Sequence, residues 1–504
     1  EGGTFSDSDT TLTLTSAAAF PSSGTILIGT ELITYSGKSS NDLTGLTRGT
    51  NGTTAAAHSN GATVTNASDY SGWGIAIPAD QATLEPGLWS LDNFGEVLVA
   101  TIANGETFTW NAGATSPTST RASKSTSGFA TGNNPTASRL TLISPTTRHL
   151  IHFGTETTIG TASTQDDMFI RFSVQEDINT FTPTSTNTAG TLRLQDGTKI
   201  VGALKAKESI LVFTDNALYT MKYIGSPFYF GVEQVGTNCG LVGKNAAVEV
   251  DGIAYWMSSK GFLYYDGTVK TLPCAVEDEV FDNFDTTKGQ QVAAGLNNLF
   301  SEISWWYPAN SDFNNKAVSY NYAESAPIPG GVWALSTEAR TSWMDAKIYE
   351  RPYATKFDTT GTGSFPTILG ESGLGQTKYF QHEIGTDQVN EDGTVTTIAS
   401  NIKSYDYDLQ DQGGGGNKFV SVSRFIPDFK NLDGNANVTL SIKRFPSQTE
   451  TSSTNSPFTI TSSTTKKDTR ARGRYVSVKI ENTEINESWR YGTLMLDVKP
   501  DGGR

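Results

Sequence analysis

The sequence predicts an all-β protein: a β-propeller with a small N-terminal β module inserted ahead of it and a C-terminal antiparallel β-sheet or sandwich domain. Three observations lead there. First, one phrase occurs twice near the middle of the chain. A short apolar strand (210–213; 253–256) meets a polar turn (214–216; 258–261), and an aromatic-rich strand follows (217–223; 262–265). Such runs, bounded by Asp, Asn and Gly, are strand-turn-strand hairpins. Their spacing, roughly 40 residues, is that of four-stranded propeller blades. Second, aromatics make up 10 % of the chain and charged residues only 18 %, with 50 glycines, which is a turn-rich β composition. Third, the texture changes near Asn401 to longer alternating strands, as in a separate sheet.

A length of 504 residues exceeds one simple core. Three domains are read: a small β module at 1–68, the propeller with long decorated loops at 69–400, and the C-terminal β domain at 401–504. The net charge is -15. An acidic surface repels phosphate, which disfavours a protein that grips nucleic acid but not one that lets it slide past. No apolar run is long enough to span a bilayer, so no membrane partner is expected. Cys239 and Cys274, the two cysteines, form neither a disulfide framework nor a metal spacing. The chain begins at Glu1 inside a polar β-type run, and missing upstream residues are expected.

In order, residues 1–68 hold an alternating TLTLT run and two short strands about a Gly-Thr-Glu turn. His58 reads as a turn histidine. Residues 97–102 and 107–110 form a hairpin whose Asn104-Gly105 step supplies positive φ. The stretch 114–138 reads as an exposed loop. Residues 139–153 form the next hairpin; His149 and His152, three apart, face opposite sides of a strand and cannot share a metal. Residues 175–197 read as a long decorated connection. The acidic VEDEVFDNFD (276–285) reads as a solvated helical turn with Val280, Phe281 and Phe284 packing inward. Trp305 and Trp306 point to opposite faces, one into the core and one towards an interface. Residues 366–385 read as the last hairpin of the series. Beyond the GGGG linker (413–416), the basic run Lys466, Lys467, Arg470, Arg472 and Arg474 reads as a loop leading into a strand.

No catalytic set is assembled in the sequence. Four histidines are scattered, and neither a Gly-x-Ser-x-Gly motif nor a Cys/His cluster is present. No enzyme activity, cofactor or metal is therefore expected. A propeller glycosidase would need two carboxylates about 5 to 10 Å apart across a cleft, and no hairpin shows such a pair.

The stretches LDNFGE (91–96), SVQEDINTFTPTSTNTAGTLRLQDGTKIVGA (173–203), ALYTMKYIG (217–225), TNCGLVGKNAAV (237–248), YDGTVKTLPC (265–274), RTSWMD (340–345), HEIGTD (382–387) and WRYGTLMLDVKPDGGR (489–504) give the chain a family likeness. It resembles the tail-nozzle proteins, also called stabilisation or tail accessory proteins, of short-tailed double-stranded DNA bacteriophages. The resemblance spans most of residues 87–504; the first 68 residues depart from it. It implies a β-propeller with additional β domains and a structural role in the virion, after assembly in the host cytoplasm. Six copies would form a homo-oligomeric ring below the portal and its head-tail adaptor. Tail spike, fibre or needle proteins would attach to that ring, and DNA would pass through its lumen without specific binding. The acidic balance agrees with a conduit. Asp166, Asp167, Glu277, Asp278 and Glu279 are the candidate channel-lining acids. The alternative is a glycan-binding, receptor-recognising tail protein that stacks sugars on Trp73, Trp89, Trp306 and Tyr265.

Overall fold

The computed structural model describes residues 5–18, 20–50, 53–67, 88–113, 122–124, 134–325, 328–358, 376–390, 393–408 and 418–502. Two compact units emerge: Glu1–Leu296 with Phe300–Thr341, and Asn297–Leu299 with Ser342–Arg504. The stretch 114–138, the segment 366–375 and the glycine linker fall largely or wholly outside the described residues.

The N-terminal module consists of two three-stranded antiparallel sheets. One orders Thr11–Thr13, Asp42–Thr44 and Gly37–Ser39; the other orders Glu31–Tyr35, Gly24–Ile28 and Val64–Asn66. The alternation in these strands turns Leu12, Ile26, Ile28, Ile33, Tyr35 and Leu43 into one small core. Beside it lies a buried charge, Glu31, 1 % exposed. Arg48 grips this carboxylate with two N–H groups, each at 2.8 Å. The backbone N–H groups of Gly49 and Ala56 donate to it at 3.0 and 3.1 Å, and His58 Nε2 lies at 2.7 Å. Arg48 in turn covers the Phe5 ring at 4.1 Å. The turn histidine read from the sequence is thus one arm of a buried ion cluster that ties Arg48, Gly49, Ala56 and His58 to the sheet.

The propeller follows. Among the described residues, five four-stranded meanders succeed one another, each in chain order. Blade 1 is Trp89–Phe94, Val97–Ile102, Thr107–Asn111 and Ser123–Lys124; blade 2 is Ser138–Ile143, Leu150–Thr155, Phe169–Phe172 and Gly190–Arg193. Blade 3 is Ile200–Lys205, Ile210–Thr214, Ala217–Gly225 and Tyr229–Thr237; blade 4 is Ala247–Val250, Ile253–Ser258, Gly261–Tyr265 and Val269–Thr271. Blade 5 is Ala293–Asn297, Glu302–Tyr307, Lys316–Asn321 and Trp333–Ser336. The repeated phrase is therefore the middle hairpin of blades 3 and 4. Asn104 takes the positive φ of its turn, at 59°. The connection 175–197 is not loop throughout: its Gly190–Arg193 segment closes blade 2 as the outer strand.

Indoles stitch the blades together. Trp256 donates to the Cys239 carbonyl at 3.0 Å. Trp305 donates to that of Ala246, also at 3.0 Å. Both rings are fully buried, so Trp256 of blade 4 and Trp305 of blade 5 are both tied to the connection between blades 3 and 4, and each satisfies a buried donor. Trp305 and Trp306 do alternate, but neither reaches an interface. Trp306 is 1 % exposed, and its Nε1 donates to Glu338 at 3.4 Å. Both cysteines are free thiols.

The first strand of blade 1 ties to blades 2 and 3 and to the approach to blade 4. Asp92 accepts from the Ile143 N–H of blade 2 at 2.7 Å and pairs with Lys205 of blade 3 at 2.7 Å. Lys244, on the approach to blade 4, donates to Ser90 at 2.7 Å. Asp92→Ala is expected to cost about 2–3 kcal/mol, the value of charge-assisted hydrogen bonds. Faster hydrogen exchange at Ile143 would report the loss.

The second unit opens with a sheet of Ser342–Met344, Tyr353–Asp358 and Gln376–Gln381. The described partner of the last strand is thus Tyr353–Asp358. A two-layer sandwich follows. One sheet orders Ser400–Lys403, Tyr475–Asn482, Asn435–Lys443 and Thr451–Ser452, with Phe458–Thr461 also on Asn435–Lys443; the other orders Lys467–Gly473, Val420–Ile426 and Met495–Pro500. Val422, Phe425 and Ala471 from the second sheet meet Val438, Leu440 and Val478 from the first. The basic run is mostly strand rather than loop, with Arg470 and Arg472 outward and Thr469 and Ala471 inward.

Candidate functional site

The five acids read from the sequence fall into two groups. Asp166 and Asp167 sit between the second and third strands of blade 2. Glu277, Asp278 and Glu279 form the first turn of the short helix Glu277–Phe281, between blades 4 and 5. In an up-and-down meander the second-to-third and blade-to-blade connections leave from the same end of the strands. All five acids therefore share one face of the propeller, on separate blades.

Their charges are partly spent. Asp166 bonds Arg193 Nε at 2.7 Å and accepts the Met168 N–H at 2.9 Å. Burial works against its ionisation, but the bonds from Arg193 and Met168 and the Arg193 charge hold the carboxyl below its ordinary range. Asp167 lies 3.4 Å from Arg139. Asn104, Arg139, Gln165, Asp166 and Asp167 line an open polar depression of ≈ 500 Å³. Gln165 bridges Asn104 and the Gly154 carbonyl at 3.1 and 2.9 Å. The depression is a place for polar contact, with acid and base side by side. In the second group Val280 is fully buried and Phe284 nearly so, which anchors the turn as expected. Glu279 pairs with Lys316 at 2.9 Å. Glu277 and Asp278 have no cation within ion-pair distance among the described residues.

Two features escaped sequence reasoning. Ser138 Oγ lies 2.7 Å from His152 Nδ1, and both residues are 1 % exposed. Phe181 packs edge-on against the imidazole at 4.9 Å. Burial first, and the Arg171 charge second, push His152 down to about 3; burial pushes His149 down to about 4. This Ser–His pair is a closed core link. Its only sequence signal was two histidines in an apolar hairpin, facing opposite sides. Both protonate near 6.5 once unfolded. Below that pH the unfolded chain binds more protons, so stability falls with pH until the folded values are reached. The thermal midpoint should drop from neutrality to pH 4, and replacing either histidine by Gln should flatten that slope.

The second missed feature is Glu156. It is fully buried, and its carboxylate collects the N–H groups of Thr136, Gly160 and Thr161 at 2.9, 2.6 and 3.2 Å. The carboxylate thereby fixes the loop that leads to Asp166.

Of the proposed sugar-stacking aromatics, Trp306 is corrected by its burial. Trp89 is 47 % exposed, Tyr265 is half-buried, and Trp73 lies outside the described residues. Among the described residues, no group of three or more His, Cys, Asp or Glu could hold a metal. No described helix is long and apolar enough to cross a membrane.

Strand order and site together define an all-β propeller protein with a polar, acid-bearing loop face. No family model matches the chain, and no curated protein does. Among solved structures, the computationally designed Ika8 protein is similar at 9 % identity, over 68 % of this chain and 95 % of its own, with a TM-score of 0.31. BamB from Moraxella catarrhalis is similar at 13 % identity, over 70 % and 95 %, with a TM-score of 0.27. Sqt1 from Saccharomyces cerevisiae is similar at 9 % identity, over 53 % and 79 %, with a TM-score of 0.30. Scores of this size carry no argument about function, and the propeller rests on its own strand order.

Proposed function

We propose that this chain is a non-enzymatic structural component of a short-tailed phage: a ring-forming nozzle below portal and adaptor that extends the DNA-ejection channel and bears spikes, fibres or a needle. The observation that carries this reading is the ordered series of family-like stretches across residues 87–504. Several of them coincide with joints of the fold. LDNFGE holds Asp92, which gathers three blades. TNCGLVGKNAAV is the passage from blade 3 to blade 4, and WRYGTLMLDVKP spans the last two strands. Charge distribution supports a conduit as well. Residues from Ser342 onward carry 20 acidic and 19 basic side chains, so the first 341 residues hold -14 of the net -15. A wall of that sign repels a passing phosphate backbone. Antibody labelling of purified particles tests the reading: label confined to the tail is expected, and particles without label would remove it.

A further inference from the structure

We propose that the basic strand of the C-terminal sandwich docks on a second copy of this chain, against the helical turn between blades 4 and 5. Along Lys467–Gly473, arginines face outward and small residues inward. Two nearby cations are neutralised within the sheet: Arg472 by Asp501 at 2.5 Å and Arg424 by Asp468 at 3.1 Å. Lys466, Lys467 and Arg470 are exposed, and among the described residues none has a carboxylate within ion-pair distance. The propeller offers the complement. Glu279 is spent on Lys316, but Glu277, Asp278 and Asp282 have no described cation, and Asp278 and Asp282 are exposed. Beyond these internal pairs, the unpaired charges of each surface are of one sign. Two copies therefore cannot pair like with like across a two-fold axis, because each surface would face its own charge. The complementary contact sets the basic strand of one copy on the acidic turn of another; made reciprocally it gives a two-fold dimer, and made head to tail it closes into a ring or runs on as a filament. Closure into a ring rests on the nozzle reading above; the contact itself does not.

The test is a charge swap in the full-length chain, followed by sedimentation at low ionic strength, where exposed pairs are least screened. One variant carries K466E, K467E and R470E; the other carries E277K, D278K and D282K. Each alone is expected to weaken self-association roughly tenfold or more, and an equimolar mixture to restore it, since each variant then meets the opposite charge. Added salt should weaken the wild-type contact. A wild-type chain that stays monomeric at sub-millimolar concentration overturns the proposal, as do variants that associate like wild type or a mixture that fails to recover. Circular dichroism of each variant confirms that lost association is not lost folding. A swap that behaves as expected in a protein absent from tails leaves the contact standing and removes the nozzle reading. A tail ring indifferent to the reversals removes the contact alone.

Discussion

Replacing Glu31 by Ala is expected to unfold the N-terminal module while the blades keep their protection from hydrogen exchange. The change removes the acceptor of five hydrogen bonds and leaves Arg48 buried (7 % exposed) without its counter-charge. Breaking a buried pair from one side costs about 3–5 kcal/mol. A module of about 60 residues has little more than that in reserve. The amides of Gly49 and Ala56, which donate to the carboxylate, are the direct reporters; unchanged protection there would refute the role. Acid gives a second arm. Burial raises the carboxyl, but Arg48, His58 and the two N–H groups outweigh it and bring it down to about 2, from 4.5. The stabilisation is complete above 4.5 and is lost as pH falls through about 2. The module should therefore keep this stabilisation down to about pH 4.5 and lose it between there and about pH 2, while the Ala variant, which has no carboxylate to protonate, should show no such acid step.

Gly243→Ala is expected to destabilise the propeller by about 3 kcal/mol, an overpacking cost, lowering the thermal midpoint by roughly 6–10 °C. A Cβ there would stand 2.1 Å from the Gly289 carbonyl oxygen, and one on Gly289 would stand 2.5 Å from that of Val242. Two backbones thus cross where the approach to blade 4 meets the short helix Thr286–Gln291. Neither can step aside cheaply: the Gly243 carbonyl accepts from Ala246 and the Gly289 carbonyl from Val292, each at 3.0 Å. Gly240, three residues earlier, is as confined, with the Asp215 carbonyl 2.0 Å from its would-be Cβ. Emission from the buried Trp256 and Trp305 reports the transition. An unshifted midpoint would refute the close crossing of the two backbones.

The hairpins were legible because both their signals, period-two alternation and turn residues, are local. The helical turn at 277–281 was legible for the same reason, with Val280 and Phe284 spaced to anchor it. What failed depended on distant chain. The acids' partners Arg193, Arg139 and Lys316 lie 27, 28 and 37 residues away. Trp306 was given an outside face because Glu338, which meets it, comes 32 residues later. Outer strands such as Gly190–Arg193 alternate only between half-buried and exposed, so with Gly and a single Leu on the inner face they carry little apolar signal. In Lys467–Gly473 the inward residues are Thr, Ala and Gly, which leave no apolar signal between the cations. The cluster around Glu31 was invisible because it assembles from residues 31, 48, 49, 56 and 58.

The most direct test of the nozzle reading is a symmetry-resolved electron-microscopy reconstruction of purified particles with this protein located in the density. The expected result is a closed ring of six copies between adaptor and spikes, around a channel continuous with the portal. Separate copies at the tail's periphery, with no channel through them, would contradict it.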